Sequence, residues 1–306
     1  MSSIVVVGSL NMDLVAVAPH LPLAGETLIG SKYWDAPGGK GANQAFGAAK
    51  LGADVSMLGR VGDDHYGSRM RANLDSVGCD TRGLKTVEGS SGVALISLAE
   101  TGQNSIIVVS GANDRYRPAD IQADRHLLID AKLVLLQLEN PYETVTTAAQ
   151  LAKQLGARVV LDPAPAPTSV PVDLLQAVDI ITPNEAEAAR LAASRATTLS
   201  LDEALVIARK LQRLGPKIVI MKLGAQGCLL LDNETATPVA APKVTAVDTT
   251  AAGDEFNGAL AVAVSEGASL LEACRFAARA AALSVTRLGS QASMPSRAEF
   301  DRFDHK

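Results

Sequence analysis

Short hydrophobic segments alternate with longer amphipathic segments along most of the chain. Two of the short segments, LVLLQL at residues 133–138 and IVIMK at residues 218–222, are apolar on both faces, as buried parallel strands are. The longer segments, such as residues 141–155 and 201–214, carry apolar residues at helical spacing. This repeated strand–helix alternation predicts an open, doubly wound α/β sheet.

The same pattern predicts where the individual elements lie. Strands are expected at residues 4–7, 55–58, 93–98, 105–109, 133–138, 158–161, 179–182, 217–221 and 228–231. Helices are expected at residues 41–51, 66–77, 118–129, 141–155, 184–192, 201–214, 253–266 and 270–287. Because the sequence contains no linker rich in Pro, Gly or Ser and no internal repeat, a single domain over residues 1–306 is predicted.

Two regions, at about 11–36 and 90–110, depart from this alternation. They predict short extended segments without helices between them, and the second contains a hairpin around ETGQN at residues 100–104. The two regions could form a small sheet beside the main core. Such a sheet is either an ordinary edge hairpin or a lid that excludes water from a cleft.

Composition and charge exclude several classes of protein. A chain of 306 residues that is 47% hydrophobic is typical of a globular protein. A net charge of -5 and only 3% aromatic residues argue against binding of nucleic acids. No run of 18 apolar residues exists, and polar residues interrupt the apolar N-terminal segment, so neither a membrane span nor a signal peptide is predicted. The three scattered cysteines indicate neither a disulfide framework nor a zinc site, and a cytoplasmic location is expected.

Polar side chains follow several predicted strands at their carboxyl ends. These residues are Asn11, Asp13, Glu139, Asp162, Asn184 and Glu187. Ligands of open α/β sheets bind at this edge, and carboxylate and amide oxygens suit sugar hydroxyls and a hard cation such as Mg²⁺. Each residue alone could equally cap the following helix. Their coincidence at one edge favours a ligand site.

A glycine-rich segment, PGGKGANQA at residues 37–45, precedes a predicted helix. Its glycines permit tight turns and a close approach to a ligand, while Lys40 and Asn43 offer hydrogen-bond donors. The segment matches neither the Walker loop nor the dinucleotide fingerprint. It is either a simple turn before a helix or part of a binding site.

A second segment, VDTTAAGDEFNGAL at residues 247–260, leads into a helix of small residues. Ala251, Ala252 and Gly253 leave the backbone N–H groups of the helix N-terminus accessible, which favours an anion. Asp254 lies in the first turn, and a carboxyl with an ordinary pKa near ~3.9 is ionised at neutral pH. An Asp at this place is more often a cap, but a base beside an anion hole is what phosphoryl transfer to an alcohol requires.

In their order and separation these motifs resemble the ribokinase family of carbohydrate kinases, and the resemblance covers essentially the whole chain. The motifs that carry it are SLNMD (9–13), GET (25–27), GGKGANQA (38–45), VGDD (61–64), QLEN (137–140), DPAPA (162–166), TPNEAE (182–187) and DTTAAGDEFNGAL (248–260). The resemblance implies a three-layer α/β/α sandwich with a small β-sheet lid. It also implies ATP-dependent phosphorylation of the primary 5-hydroxyl of D-ribose. Alternative acceptors within the family are 2-deoxyribose, a ketohexose or a nucleoside, and a non-catalytic sugar sensor is a further alternative.

The resemblance also implies roles for individual residues. Asp254 is the implied base, with an anion hole at the backbone amides of Ala251, Ala252 and Gly253. The residues implied to hold the sugar are Asn11, Asp13, Gly39, Lys40, Asn43 and Glu139. Those implied for ATP and, through Glu187, for Mg²⁺ are Asn184, Glu187, the loop Lys222, Leu223, Gly224, Ala225, Gln226 and Gly227, and Ala278. A monovalent cation, usually K⁺, is implied at Asp248, Thr250, Ser284, Arg287, Gly289 and Ser293. The lid sheet is implied to join two subunits in a homodimer.

Three positions depart from the pattern of the family. Glu255 follows the implied base, where small or hydroxyl residues are common; facing the phosphates it would repel them, and we expect it to point outward instead. Lys222 stands where Ser or Thr is frequent, and it either contacts phosphate or is a solvated lysine at a strand end. Ala278 stands where many members carry Asn or His near the adenine.

Overall fold

The structure, a computed structural model, describes residues 3–166, 168–194 and 199–303, so the ends of the predicted single domain lie outside it. Within these residues, nine strands form a central sheet. They are β1 (Ile4–Val7), β4 (Val55–Gly62), β5 (Leu84–Val87), β8 (Leu133–Leu136), β9 (Arg158–Leu161), β10 (Ile180–Ile181), β11 (Ile218–Lys222), β12 (Cys228–Asp232) and β13 (Thr235–Val239). The strand order is β13-β12-β11-β10-β9-β8-β1-β4-β5. All neighbours from β11 to β5 are parallel, whereas β12 is antiparallel to both of its neighbours.

Helices cover both faces of this sheet because its buried strands are apolar on both sides. In β1, Ile4 and Val6 join one hydrophobic core, and Val5 and Val7 join the other. The helices are α1 (Lys40–Lys50), α2 (His65–Asp75), α3 (Pro118–Ala123), α4 (Tyr142–Gln154), α5 (Val172–Ala177), α6 (Glu185–Leu191), α7 (Leu201–Gln212), α8 (Ala252–Ser265), α9 (Leu270–Ser284) and α10 (Arg297–Phe303). The first core contains residues of α1, α8 and α9, and the second contains residues of α4 and α7. The predicted three-layer α/β/α sandwich is therefore confirmed.

A second, smaller sheet stands beside the sandwich, as the sequence predicted. It consists of β2 (Asn11–Ala18), β3 (Lys32–Gly38), β6 (Gly92–Ala99) and β7 (Asn104–Val109) in the order β3-β2-β6-β7. The antiparallel β6 and β7 form the predicted hairpin around residues 100–104. Because β2 begins at Asn11 and β3 ends at Gly38, one end of this sheet meets the start of α1.

Several elements differ from the sequence prediction. The strands β5 and β13 and the helices α5 and α10 were not predicted, since each is short and has only a few buried residues. The helix predicted at residues 118–129 ends at Ala123 and continues as a 3₁₀ turn. The strand predicted at residues 179–182 is only Ile180–Ile181.

The helices α1 and α8 pack closely against each other at the carboxyl edge of the sheet. At the crossing, a Cβ atom on Gly258 would lie 2.8 Å from the carbonyl oxygen of Gln44, so the approach requires glycine. This contact brings the first turn of α8 to the side chains of α1. None of the helices in the described ranges is long and apolar enough to cross a lipid bilayer.

Candidate active site

Asp254 lies in the first turn of α8 and is held by two side chains of α1. Its Oδ2 accepts a hydrogen bond from Asn43 Nδ2 at 2.9 Å, and its Oδ1 accepts one from Gln44 Nε2 at 3.1 Å. Burial raises the pKa of Asp254 to about 6, against the opposing effects of Lys40 and of the two hydrogen bonds. A carboxyl with this pKa is mostly ionised at pH 7 and can take a proton from an alcohol.

The N-terminus of α8 is shaped as an anion site. Ala251 precedes the helix with a φ of 58°, in the left-handed region that alanine rarely occupies. The N–H of Ala252, one of the amides predicted to form the anion hole, donates to the carbonyl oxygen of Thr249 at 3.2 Å. This amide therefore already has an acceptor. Helical geometry gives the N–H groups of Gly253 and Asp254 no acceptor within the helix. These two donors therefore point to the place where an anion would bind.

Lys222 is buried and forms an ion pair at this site. Its Nζ lies 3.0 Å from Asp162 Oδ1, and only 9% of the residue is exposed. A Cβ atom on Gly253 would lie 3.3 Å from the same Nζ, so the ammonium group lies beside the start of α8. The interpretation of Lys222 as a solvated lysine at a strand end is therefore wrong.

A cavity of about 440 Å³ opens between these groups. It brings together residues from the ends of β9, β10 and β11 and from the starts of α1, α6 and α8. The residues that line it are Lys40, Asp162, Ala164, Asn184, Glu185, Ala186, Glu187, Lys222, Gly224, Thr249, Ala251, Ala252, Gly253 and Asp254. A cavity with a helix N-terminus, two lysines and several carboxylates at its wall suits a polyphosphate together with a divalent cation.

Asn184 and Glu187 form a capping box at the start of α6. Glu187 accepts hydrogen bonds from the backbone and the side-chain amide of Asn184, and Asn184 Oδ1 accepts one from the N–H of Glu187. Burial raises the pKa of Glu187, Lys222 lowers it and Asp162 raises it. Extra positive charge near Glu187 would offset the cost of this buried carboxylate. These residues therefore fit a site next to Mg²⁺.

The predicted sugar residues lie at the junction of the small sheet and α1. Glu139 Oε2 accepts hydrogen bonds from Ser9 Oγ at 2.5 Å and from the N–H of Lys40 at 3.1 Å. Burial lowers the pKa of the Lys40 ammonium, but the carboxylates of Asp254, Glu139 and others outweigh it and hold that pKa well above its ordinary value. Burial, Glu139 and Asp254 raise the pKa of Asp13 to about 7, and Lys40 opposes them. Asp13, Glu139 and Asp254 thus all interact electrostatically with Lys40.

Two further predicted residues flank this group. Asn11 Oδ1 accepts a hydrogen bond from Asn113 Nδ2 at 2.8 Å. Gly39 has a φ of 88° and comes so close to the backbone of Leu10 that a Cβ atom there would lie 2.8 Å from Leu10 Cα. The glycine is therefore required for the turn from β3 into α1.

The predicted nucleotide loop connects β11 and β12. Gly224, Ala225 and Gln226 form a 3₁₀ turn, which the N–H of Gln226 closes by donating to the carbonyl oxygen of Leu223 at 3.0 Å. The N–H of Leu223 donates to the carbonyl oxygen of Gly227 at 2.8 Å across the base of the loop. Of this loop, Lys222 and Gly224 line the cavity. Ala278 is buried on α9 within a hydrophobic core, and it does not belong to the cavity wall.

The two loops predicted to hold a monovalent cation meet at Asp248. Its Oδ1 accepts hydrogen bonds from the N–H and the hydroxyl of Thr250, and its Oδ2 accepts one from the N–H of Gly289 at 2.9 Å. Burial raises the pKa of Asp248, but these hydrogen bonds outweigh it and keep that pKa below its usual range. The other predicted residues have partners of their own: Ser284 Oγ donates to Ala281, Ser293 Oγ to Ser290, and Arg287 pairs with Glu299.

Glu255 does not point outward, and that expectation is wrong. The residue is 0% exposed, and neither carboxyl oxygen accepts a hydrogen bond from the described residues. A Cβ atom on Gly47 of α1 would clash with Glu255 Oε2, and Glu255 does not line the cavity. Burial raises the pKa of Glu255 to about 8, with Lys50 lowering it and Asp254 raising it. Because α1 packs closely against α8, the face of the first turn of α8 that carries Glu255 is buried.

Two buried glutamines, Gln44 and Gln137, also belong to the site, and neither was predicted there. Gln44 donates hydrogen bonds to Asp254 and Asp162, and Gln137 donates one to Gln44. Asp162 was predicted at the ligand edge, but its pairing with Lys222 was not. Two sequence features could have identified them. Gln137 directly follows β8, and Gln44 lies one helical turn after Lys40.

Comparisons with known proteins agree with this geometry. The pattern of the family described as pfkB family carbohydrate kinase matches residues 1–297. A ribokinase of Haemophilus influenzae is 40% identical over 298 residues, 97% of this chain and 96% of that protein, and one of Bacillus subtilis is 41% identical over 302 residues, 98% and 99%. The structure of Arabidopsis thaliana ribokinase complexed with ribose and ATP superposes with a TM-score of 0.92 at 36% identity, covering 99% of this chain and 98% of that one. The chain therefore belongs to the pfkB family of carbohydrate kinases.

Proposed function

We propose that the protein transfers the γ-phosphoryl group of ATP to the 5-hydroxyl of D-ribose, giving ribose 5-phosphate and ADP. The observation that carries this proposal is the position of Asp254: it lines the cavity together with Lys40 and accepts a hydrogen bond from Asn43. The similarity to ribokinases over nearly the whole chain supports ribose as the acceptor.

In the proposed reaction Asp254 takes the proton of the 5-hydroxyl as the sugar oxygen attacks the γ-phosphorus. The bond between that phosphorus and the β,γ-bridging oxygen breaks, and ADP leaves with the bridging oxygen. The N–H groups of Gly253 and Asp254 and the ammonium of Lys222 stabilise the charge on the transferred group. Since these donors are already in place, little reorganisation is required during the transfer.

The sugar is proposed to bind between the small sheet and α1, in contact with Asn11, Asp13, Gly39, Lys40, Asn43 and Glu139. Asp13 and Glu139 accept hydrogen bonds from sugar hydroxyls, and Asn43 donates one. Hydroxyl donors stabilise the ionised form of Asp13, whose pKa burial raises to about 7. We propose that the small sheet acts as a lid over this pocket.

ATP is proposed to lie along the cavity, with its phosphates at Lys222 and the start of α8. The loop of residues 223–227 and the region of Ala278 would contact the nucleoside. Mg²⁺, when bound, would neutralise phosphate charge. Asn184 and Glu187 would help to hold the ion indirectly, without coordinating it themselves. K⁺ is proposed at the two loops that Asp248 joins, with Thr250, Ser284, Arg287, Gly289 and Ser293 around it.

A homodimer is proposed through the small sheet. Apolar side chains of β7 are exposed on it, among them Ile107, which is 62% exposed, and Val108. A second copy of the sheet would cover this surface.

The decisive test is ADP release with a panel of acceptors, measured with and without K⁺. We expect the highest kcat/KM with D-ribose, well above the values with 2-deoxyribose, a ketohexose and a nucleoside. Rapid turnover of another acceptor, with none of ribose, would overturn the proposed substrate. A thermal shift with ribose but none with MgATP would instead indicate a sugar sensor.

A further inference from the structure

One side-chain amide lies between two buried carboxylates at the site. Gln44 Nε2 lies 2.9 Å from Asp162 Oδ2 and 3.1 Å from Asp254 Oδ1. Carboxylates can only accept hydrogen bonds, and an amide NH₂ group has two hydrogens to donate. One hydrogen therefore serves each carboxylate.

The orientation of this amide is determined by a third residue. Gln137 Nε2 donates to Gln44 Oε1 at 2.7 Å, and both glutamines are completely buried. If the amide of Gln44 were turned over, its oxygen would face two acceptors and its NH₂ group would face another NH₂ group. Only the observed orientation gives a hydrogen-bond partner to Asp162, to Asp254 and to both ends of the Gln44 amide.

The second carboxylate, Asp162, lines the cavity that is proposed to bind the phosphates. Asp162 accepts from Gln44 with Oδ2 and from Lys222 with Oδ1. A continuous path of hydrogen bonds thus runs from Lys222 through Asp162 and Gln44 to Asp254. Resting on the proposed function, we propose that Gln44 is a positioning residue, which orients the base Asp254 and connects it to the Asp162–Lys222 ion pair at the phosphate site.

The two neighbours act on the base in opposite directions. The hydrogen bond from Gln44 favours the ionised form of Asp254, whereas the negative charge of Asp162 disfavours it. The other charged groups that act on Asp254 are Lys40 of α1, Asp13 of the small sheet and Glu255 of α8. Removing Gln44 and removing the charge of Asp162 should therefore have effects of opposite sign.

The test compares two variants in pH profiles of kcat/KM and in a ¹³C-NMR titration of the Asp254 carboxyl, assigned with Asp254→Asn. A hydrogen bond to a charged group contributes about 1.5 kcal/mol, which corresponds to about one pH unit. Gln44→Met should therefore move the acid limb and the carboxyl titration up by about one pH unit. Asp162→Asn, which keeps the size of the side chain, should move both down. Gln150→Met, the same change at an exposed position of α4, should move neither.

Unchanged titrations in both variants, or shifts of the same sign, would overturn the positioning role, because a general structural defect lowers kcat without opposite shifts. If Gln44→Met does not fold, Gln137→Met removes the donor that fixes the Gln44 amide, and it should also move the carboxyl titration up. The NMR titration requires no turnover. If the proposed function is wrong but Gln44 orients Asp254, the titrations shift and no phosphorylated acceptor forms. If the function is right but Gln44 has no positioning role, the enzyme turns over and the titrations do not shift.

Discussion

The ammonium nitrogen of Lys222 lies 3.0 Å from Oδ1 of Asp162, and both side chains are almost completely buried. A buried ion pair of this kind is expensive to break from one side, since the remaining charge is left without a partner. At the wall of a cavity that suits phosphates, however, the lysine has a second role available. The pair keeps a cation in place where the nucleotide would bring negative charge.

Replacing Lys222 separates these two roles. We expect Lys222→Gln to raise the KM for MgATP by about tenfold or more, since one buried charge–phosphate contact is lost, and to leave the KM for ribose nearly unchanged. Steady-state kinetics with each substrate varied in turn measures both values.

The double variant Lys222→Gln/Asp162→Asn serves as the control for stability. It should regain much of the thermal stability that Lys222→Gln loses, because no unpaired charge remains, while its KM for MgATP stays high. Recovery of the KM together with stability would show that Lys222 has only a structural role.

Removing the base gives the most direct test of the mechanism. Asp254→Asn keeps the shape of the side chain but cannot take a proton at neutral pH. We expect kcat to fall by ~10²-fold or more, with the affinities for ribose and MgATP largely retained in calorimetry. Asp202→Asn, at an exposed position of α7, should behave as the unmodified protein. Near-normal turnover of Asp254→Asn would exclude Asp254 as the base.

The raised pKa of Asp254 predicts the acid limb of the activity profile. The base must be ionised to act, so kcat/KM for ribose, which reports the groups of the free enzyme, should be constant near pH 8 and fall as the pH drops through about 6, by at least about tenfold per pH unit below it. Initial rates measured between pH 5 and 8.5 at limiting ribose and saturating MgATP check this. A profile that stays flat down to pH 5 would contradict an Asp254 with this pKa.

The buried Glu255 predicts that stability falls as the pH rises. Its folded pKa of about 8 lies above the ordinary value near 4.5, so the folded protein binds one more proton than the unfolded chain between these pH values. Glu255→Gln removes this dependence, and we expect it to raise Tm by several degrees at pH 8 and by little at pH 5. Thermal unfolding at both pH values measures the difference.

An exposed glutamate supplies the matched control for this experiment. Glu143→Gln changes the same chemical group in the first turn of α4, where the side chain is in solvent, and it should not alter the pH dependence of Tm. An equal gain of Glu255→Gln at both pH values would mean that the carboxyl of Glu255 is already neutral or partnered at pH 8.

The proposed dimer can be tested at the apolar surface of the small sheet. Ile107→Lys places a charge in the middle of β7, and we expect it to convert a dimer into a monomer in light scattering coupled to gel filtration. Gln103→Lys, at the turn between β6 and β7, should leave the dimer intact. A protein that is monomeric before any substitution would remove the proposal.

The sequence prediction was most accurate for elements with a continuous or periodic apolar pattern. Continuously apolar strands such as β1, β8 and β11 and amphipathic helices such as α4 and α7 were located to within a few residues. The helix α5 and the strand β13 escaped, since α5 has only six residues and only Val239 of β13 is buried. The fold and the family followed from motifs that are local in sequence.

The partners of the site residues could not be predicted in the same way. The sequence by itself determined that Asp254 begins a helix, that Lys222 ends a strand and that glycines lead into α1. Only the tertiary structure decided that Glu255 is buried, that Lys222 pairs with Asp162 and that Gln44 joins two carboxylates. These contacts join residues between 60 and 210 positions apart. They depend on how closely α1, α8 and the strand ends approach, because burial and pairing are properties of that packing and not of any local pattern.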